Sequence, residues 1–147
     1  MGLARRAIDE TRLELGGKSI RFTDLPRLGR AEKLQTLEAA EGLLYAFRAG
    51  LERAMGAVWA CALGGQPLDQ AGRLEIRLAA ITAVHQGSAI VRSVYDIADA
   101  GAVRRSGILQ QLYRDASCLG HHVSANKAAL EATGRLRAGC DPLNFRI

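Results

Sequence analysis

The spacing of apolar positions predicts four main helices and a shorter fifth piece. Residues 2–15 form a short first helix, closed by Gly16 and Gly17, the residues best able to adopt a left-handed cap. A connector, "KSIRFTDLPRLGR", follows, with Pro26 restricting the backbone. From residue 30 to 63 the apolar side chains step by three and four: Leu37, Ala40, Leu44, Phe47, Leu51, Ala54, Val58 and Cys61. That is the seam of a bundle helix, and "GGQP" stops it. The next helix, residues 68–100, carries a main stripe of Ile76, Ala80, Ala83, Gly87, Ile90, Val94 and Ile97, with enough small residues for a close neighbour. Leu74, Leu78 and Ile81 lie on its opposite side, together with His85, Ser88 and Arg92. A helix apolar on two sides needs a second cover, and a partner subunit is the expected one. After the break "DAGAVRRS", a helix starting near Ser106 presents Leu109, Leu112, Ala116, Leu119 and Val123 on its seam, and residues 126–133 form a last short piece before the tail. The expected fold is all-α: an antiparallel up-down bundle of four main helices, one domain spanning residues 1–147.

Composition narrows the function classes. At 48% hydrophobic residues with three prolines, the chain has the apolar content of a folded domain rather than a disordered one. Aromatics at 5% leave little to stack on bases. The net charge is +5 and the pI about 9.6. The arginines are interleaved with Asp and Glu throughout, without a dense run, which argues against nucleic-acid binding. Cys61, Cys118 and Cys140 are odd in number and unpatterned; with no signal peptide they read as reduced thiols of a cytoplasmic protein. No apolar run reaches the length of a membrane span.

The chemistry concentrates in "LYRDASCLGHHVSAN", residues 112–126. On a continuous helix, Arg114, Cys118 and His121 project away from the seam, while Asp115 and His122 share a flank two turns apart, too far for a catalytic dyad. Cys118 and His122, at i and i+4, would pair without an orienting third group. Cys118 and the histidines offer two metal ligands where a structural zinc site needs four, and His85 is the one further histidine, so no metal is expected. Spacing alone equally allows Arg114 and Asp115 as interhelical ion-pair partners and the histidines as surface residues.

Longer segments narrow this choice. "GLARRAIDE", "RLAAITAVHQGSAIVRSVYDIADAGAVRRSGILQQLYRDASCLGHHV" and "ALEATGR" resemble the C-terminal helical domain of the acyl-CoA dehydrogenase superfamily. They look most like its branch of flavin-dependent monooxygenases acting on aromatic and steroid-type substrates. The most specific part is S-x-x-x-Q-x-x-x-R-D: Ser106, Gln110, Arg114 and Asp115. The resemblance implies FMN or FAD in the full-length context, bound between an α-helical and a β-barrel domain that precede this one and are absent from this chain. It also implies a homo-oligomer, dimer or tetramer, and leaves room for a flavin-binding domain or subunit in trans. It points to Arg104, Arg105, Ser106, Gln110 and Arg114 as flavin contacts. Two arginines before a helix amino end also suit a phosphate on physical grounds. Lys18 and Arg21 lie near where dehydrogenases set an arginine against the flavin pyrophosphate.

Where the dehydrogenases carry a glutamate base shortly after the R-D pair, this chain has His122 and Val123, with no carboxylate until Glu131. The monooxygenase branch has histidine at this place, so His122, with His121 behind it, is the expected catalytic residue, a side chain able to give or take a proton. The isolated chain is then expected to bind flavin weakly and turn nothing over. Two alternatives stand beside this reading: a non-catalytic helical assembly or docking module, and an acyl-CoA dehydrogenase with a displaced base.

Overall fold

A computed structural model describes residues 1–17, 29–98 and 107–141. The described residues form five helices and no strand: α1 (Gly2–Gly17), α2 (Arg30–Leu63), α3 (Gln70–Asp96), α4 (Ile108–Leu119) and α5 (Lys127–Arg137). The long α2 ends where "GGQP" predicts. Gly65 takes the left-handed conformation, φ 64°, so Gln66 N–H reaches back to the Cys61 carbonyl at 3.0 Å and Gly65 N–H to Ala62 at 3.3 Å. This reciprocal pair is a Schellman closure, which only a residue tolerant of positive φ forms without strain. Six residues later α3 opens on Asp69, whose carboxylate accepts from Gly72 N–H at 2.8 Å. Asn126 caps α5 in the same way through Ala129 N–H, at 2.9 Å.

The core lies where α1, the first half of α2, the second half of α3 and α4 meet. Ala4, Ala7 and Ile8 pack with Leu37, Leu44 and Phe47, with Ile90, Val91 and Val94, and with Leu109, Leu112 and Ala116. α3 is the hub, packed against each of the other four helices.

Several expectations are corrected. The second face of α3 does not wait for a partner: Leu74 and Ile81 are buried and Leu78 half-buried within the chain itself. α5 packs on α3, burying Ala129 and Ala132, and His85, on the same side of α3, reaches the Ala125 carbonyl just before α5. The stripe predicted along α3 is buried only from Ala83 onward; Ala80 is exposed and Ile76 half-buried. Helix α4 stops at Leu119 rather than continuing through Val123, which is 64% exposed. Gly120 ends the helix, and residues 120–126 form turns before α5. α5 in turn runs to Arg137, four residues further than its pattern suggests.

Ion pairs tie α1 to α2. Arg5 makes a two-pronged contact with Glu41, one arm at 2.8 Å, and Arg12 reaches Glu38 at 3.1 Å and Glu41 at 3.5 Å. The Arg5 guanidinium, hydrogen-bonded to Glu41 and reinforced by the charge of Arg12, holds that carboxyl below the usual carboxylate range. A carboxyl whose folded pKa is depressed stabilises the fold above its unfolded pKa, and that contribution fades as pH falls through the folded value. Both partners are partly exposed, so the pair contributes no more than about 1 kcal/mol. Glu41→Gln is therefore expected to flatten the acid limb of stability against pH, measured by urea unfolding between neutral pH and pH 3, and to leave the core transition cooperative.

Candidate functional site

The predicted reactive stretch comes to lie on the α4–α5 turn and along the trough between α3 and α4. Because α4 ends at Leu119, His121 and His122 belong to the turn, and the helical i, i+4 relation of Cys118 to His122 does not exist. The turn has its own hydrogen bonds: His121 N–H to Cys118 at 3.1 Å, His122 N–H to Leu119 at 3.2 Å and Ala125 N–H to the His122 carbonyl at 2.9 Å. Ser124 N–H donates to His122 Nδ1 at 3.3 Å. A ring nitrogen that accepts carries no proton, so this contact leaves Nε2 as the protonated, exposed nitrogen of neutral His122.

Two bonds from α3 pin this region to the core. His85 Nε2 lies 2.7 Å from the Ala125 carbonyl, and against an oxygen that can only accept, that nitrogen must donate. Ser88 Oγ lies 2.8 Å from the Ala116 carbonyl and 3.0 Å from that of Val84. Gly120 lies beside the His85 ring, whose Cε1 would stand in ordinary contact, 3.9 Å, from a Cβ there.

Beside the turn an open cleft of about 380 Å³ runs between the two helices. His85, Ser88, Ala89 and Arg92 line it from α3; Ala116, Ser117, Gly120 and His121 line it from α4 and the turn. Arg92 Nη2 donates to Tyr113 Oη at 3.1 Å and its guanidinium carbon stands 5.8 Å from the centre of that ring. Tyr113 in turn packs on Tyr95, ring centres 4.7 Å apart. The Tyr113 hydroxyl pushes the guanidinium pKa further up.

The structure brings together only some of the predicted site. His121 lines the cleft, while His122 is exposed on the turn and does not. Gln110 sits in the first turn of α4, and its Oε1 is buried without a hydrogen-bond partner. Arg114 and Asp115 are exposed and form no ion pair with another described residue. Lys18, Arg21, Arg104, Arg105 and Ser106 lie outside the described residues. Among the described residues no three of His, Cys, Asp and Glu gather as metal ligands, and no helix is long and apolar enough to cross a membrane. Sequence reasoning missed Arg92 and Tyr113 as a pair. The available signal was the row His85, Ser88, Arg92, polar groups at helical spacing on a face otherwise taken as apolar.

The family model described as acyl-CoA dehydrogenase, C-terminal domain, matches residues 1–127. Comparison with curated proteins gives no match.

His85→Ala removes the donor to a carbonyl at the foot of the turn. It is expected to lower stability by about 1–2 kcal/mol and to speed amide exchange across residues 120–125, while amides in α1 and α2 keep their protection; hydrogen exchange followed by NMR reads both.

Proposed function

We propose, for a chain that belongs to the acyl-CoA dehydrogenase C-terminal domain family, that it is the C-terminal part of a flavin-dependent oxidoreductase of monooxygenase type. In this reading its helices run up and down as one bundle that closes the flavin site and joins subunits. The family implies a flavin, and the observation that carries the finer reading is the chemistry of the α4–α5 turn. Two imidazoles stand on it, and His121 lines a cleft to which no described residue contributes a carboxylate. Proton abstraction from an acyl thioester needs a carboxylate base, and the next one along the chain, Glu131, is exposed on α5 and paired with Arg135 at 3.8 Å.

Gln110 fits a flavin as a neighbour. Its buried, unpartnered Oε1 accepts from a hydroxyl or an imide N–H, and a flavin offers both. Arg104, Arg105 and Ser106, with Arg114, are proposed for its phosphates, and Lys18 and Arg21 for its pyrophosphate if the flavin is FAD. When bound, the flavin supplies the electrons that activate dioxygen. The part of this chain is proton handling: His122, with Nδ1 engaged by Ser124 N–H, presents Nε2–H to an oxygen on which negative charge develops, and His121 forms the adjoining wall.

The test supplies the flavin-binding domains that the resemblance implies, in cis or as a separate polypeptide. FAD or FMN is then expected to bind saturably, read by visible absorbance. His122→Ala should cut turnover by a factor of about 10²–10⁴ without releasing the flavin. Hydroxylation that persists undiminished in this variant removes His122 from the reaction.

One observation favours assembly as a second role. Met55, Trp59 and Leu63, one turn apart along α2, are 57%, 67% and 73% exposed. These three form an exposed apolar row on one face of α2, whereas Leu74 and Ile81 on α3 are buried within the chain, and we assign subunit contact to the row. Trp59 is the chain's single tryptophan, so its emission is expected to shift to the blue as concentration rises. Trp59→Arg should hold the chain monomeric in sedimentation, and a wild-type chain that stays monomeric at high concentration contradicts the assignment.

A further inference from the structure

We propose that the cleft between α3 and α4 binds a small organic anion with an apolar body, its charged group held by Arg92 and His121. The cleft is the one that the proposed function sets beside the imidazoles, but the site stands on this chain's own side chains, so its test needs no flavin and can fail without the flavin reading failing. Its walls carry donors and its floor is small and apolar: Ala89, Ala116 and Gly120 leave the space that the ligand body would fill. Among the described residues no carboxylate lines it to compete for the guanidinium. Asp96, one turn further along α3, acts on Arg92 only as a more distant charge.

The two serine hydroxyls in the cleft have their protons directed at backbone carbonyls, Ser88 at Ala116 or Val84 and Ser117 at Tyr113, 2.7 Å away. They offer lone pairs and no free O–H. Donation to a ligand therefore falls to Arg92 and His121. Arg92 spends one of its five N–H groups on Tyr113, and the rest can grip a carboxylate in the two-pronged manner that guanidinium geometry favours. It is also already placed. The Tyr113 ring and hydroxyl, braced by Tyr95, fix the arginine before any ligand arrives, which reduces the freedom lost on binding. A volume of about 380 Å³ lies at the low end of small-molecule sites, roughly 300–1,000 Å³, and suits a single-ring acid rather than a nucleotide.

The test titrates the ¹⁵N-labelled full chain with benzoate, with benzyl alcohol as its neutral counterpart and with inorganic phosphate, at constant ionic strength. Benzoate is expected to give saturable shifts at the amides of Ala89, Arg92, Ser117 and His121, and benzyl alcohol and phosphate none that saturate. Arg92→Gln should weaken benzoate about tenfold or more, and Arg92→Lys should recover part of the loss. Arg92 is exposed, and an otherwise unchanged spectrum establishes that the variants are folded. Equal binding of benzyl alcohol would reduce the cleft to an apolar patch, and saturation by phosphate alone would make it a bare-anion site. Either result, shifts confined to other residues, no saturable benzoate shift, or full benzoate affinity in Arg92→Gln overturns the proposal.

Discussion

The burial of α3 on both of its sides is the constraint on which the other elements depend. Its second half supplies Ile90, Val91 and Val94 to the core shared with α1, α2 and α4. Its first half buries Leu74 and Ile81 within the chain, and α5 packs on the same helix. A helix covered in this way cannot shift or rotate without uncovering apolar area, at roughly 25 cal/mol per Å². The polar groups that it carries between these two zones, His85, Ser88 and Arg92, are therefore held at fixed positions along the edge of α4. The turn bearing the two histidines inherits that placement, because His85 and Ser88 are the residues that fasten it.

Much of the fold was legible from periodicity. α2 begins and ends where its apolar steps and the "GGQP" stop place it, because a long amphipathic seam and a glycine able to take positive φ are strong local signals. The first helix was equally plain, although its two closing glycines continue it by two residues. What periodicity could not resolve was which surface covers which. An apolar second face on α3 looks the same in sequence whether another subunit or the chain's own last helix lies on it. The short pattern of α5 gave no measure of how much it would bury. Leu119 and Val123 fit the spacing of the α4 seam, yet Gly120 ends the helix first; a lone glycine inside an apolar pattern is a weak local signal, and here it decides the geometry of the site.

The candidate site was legible as a neighbourhood and not as an arrangement. The two histidines, Gln110 and the Arg114–Asp115 pair were identified through the resemblance, and the family match over residues 1–127 supports that family. Their relations were misjudged because a continuous helix was assumed through residue 123. On the turn that is actually present, His121 and His122 part company: one faces the cleft and the other bonds to its own backbone. Arg92 and Tyr113 stand twenty-one positions apart in the chain, and only the packing of α3 on α4 makes them a pair.

The placement of α5 has a consequence for how the polypeptide matures. The last of the five described helices, residues 127–137, packs on α3 and buries Ala129 and Ala132, so it leaves the ribosome after the helix that it covers. Until then a nascent chain holds a sticky flank open to chaperones and to its own neighbours, and a protease cut within residues 120–126 would recreate that state in a finished molecule. The turn that carries the imidazoles is thus also the covalent tether that keeps this late helix within reach of α3.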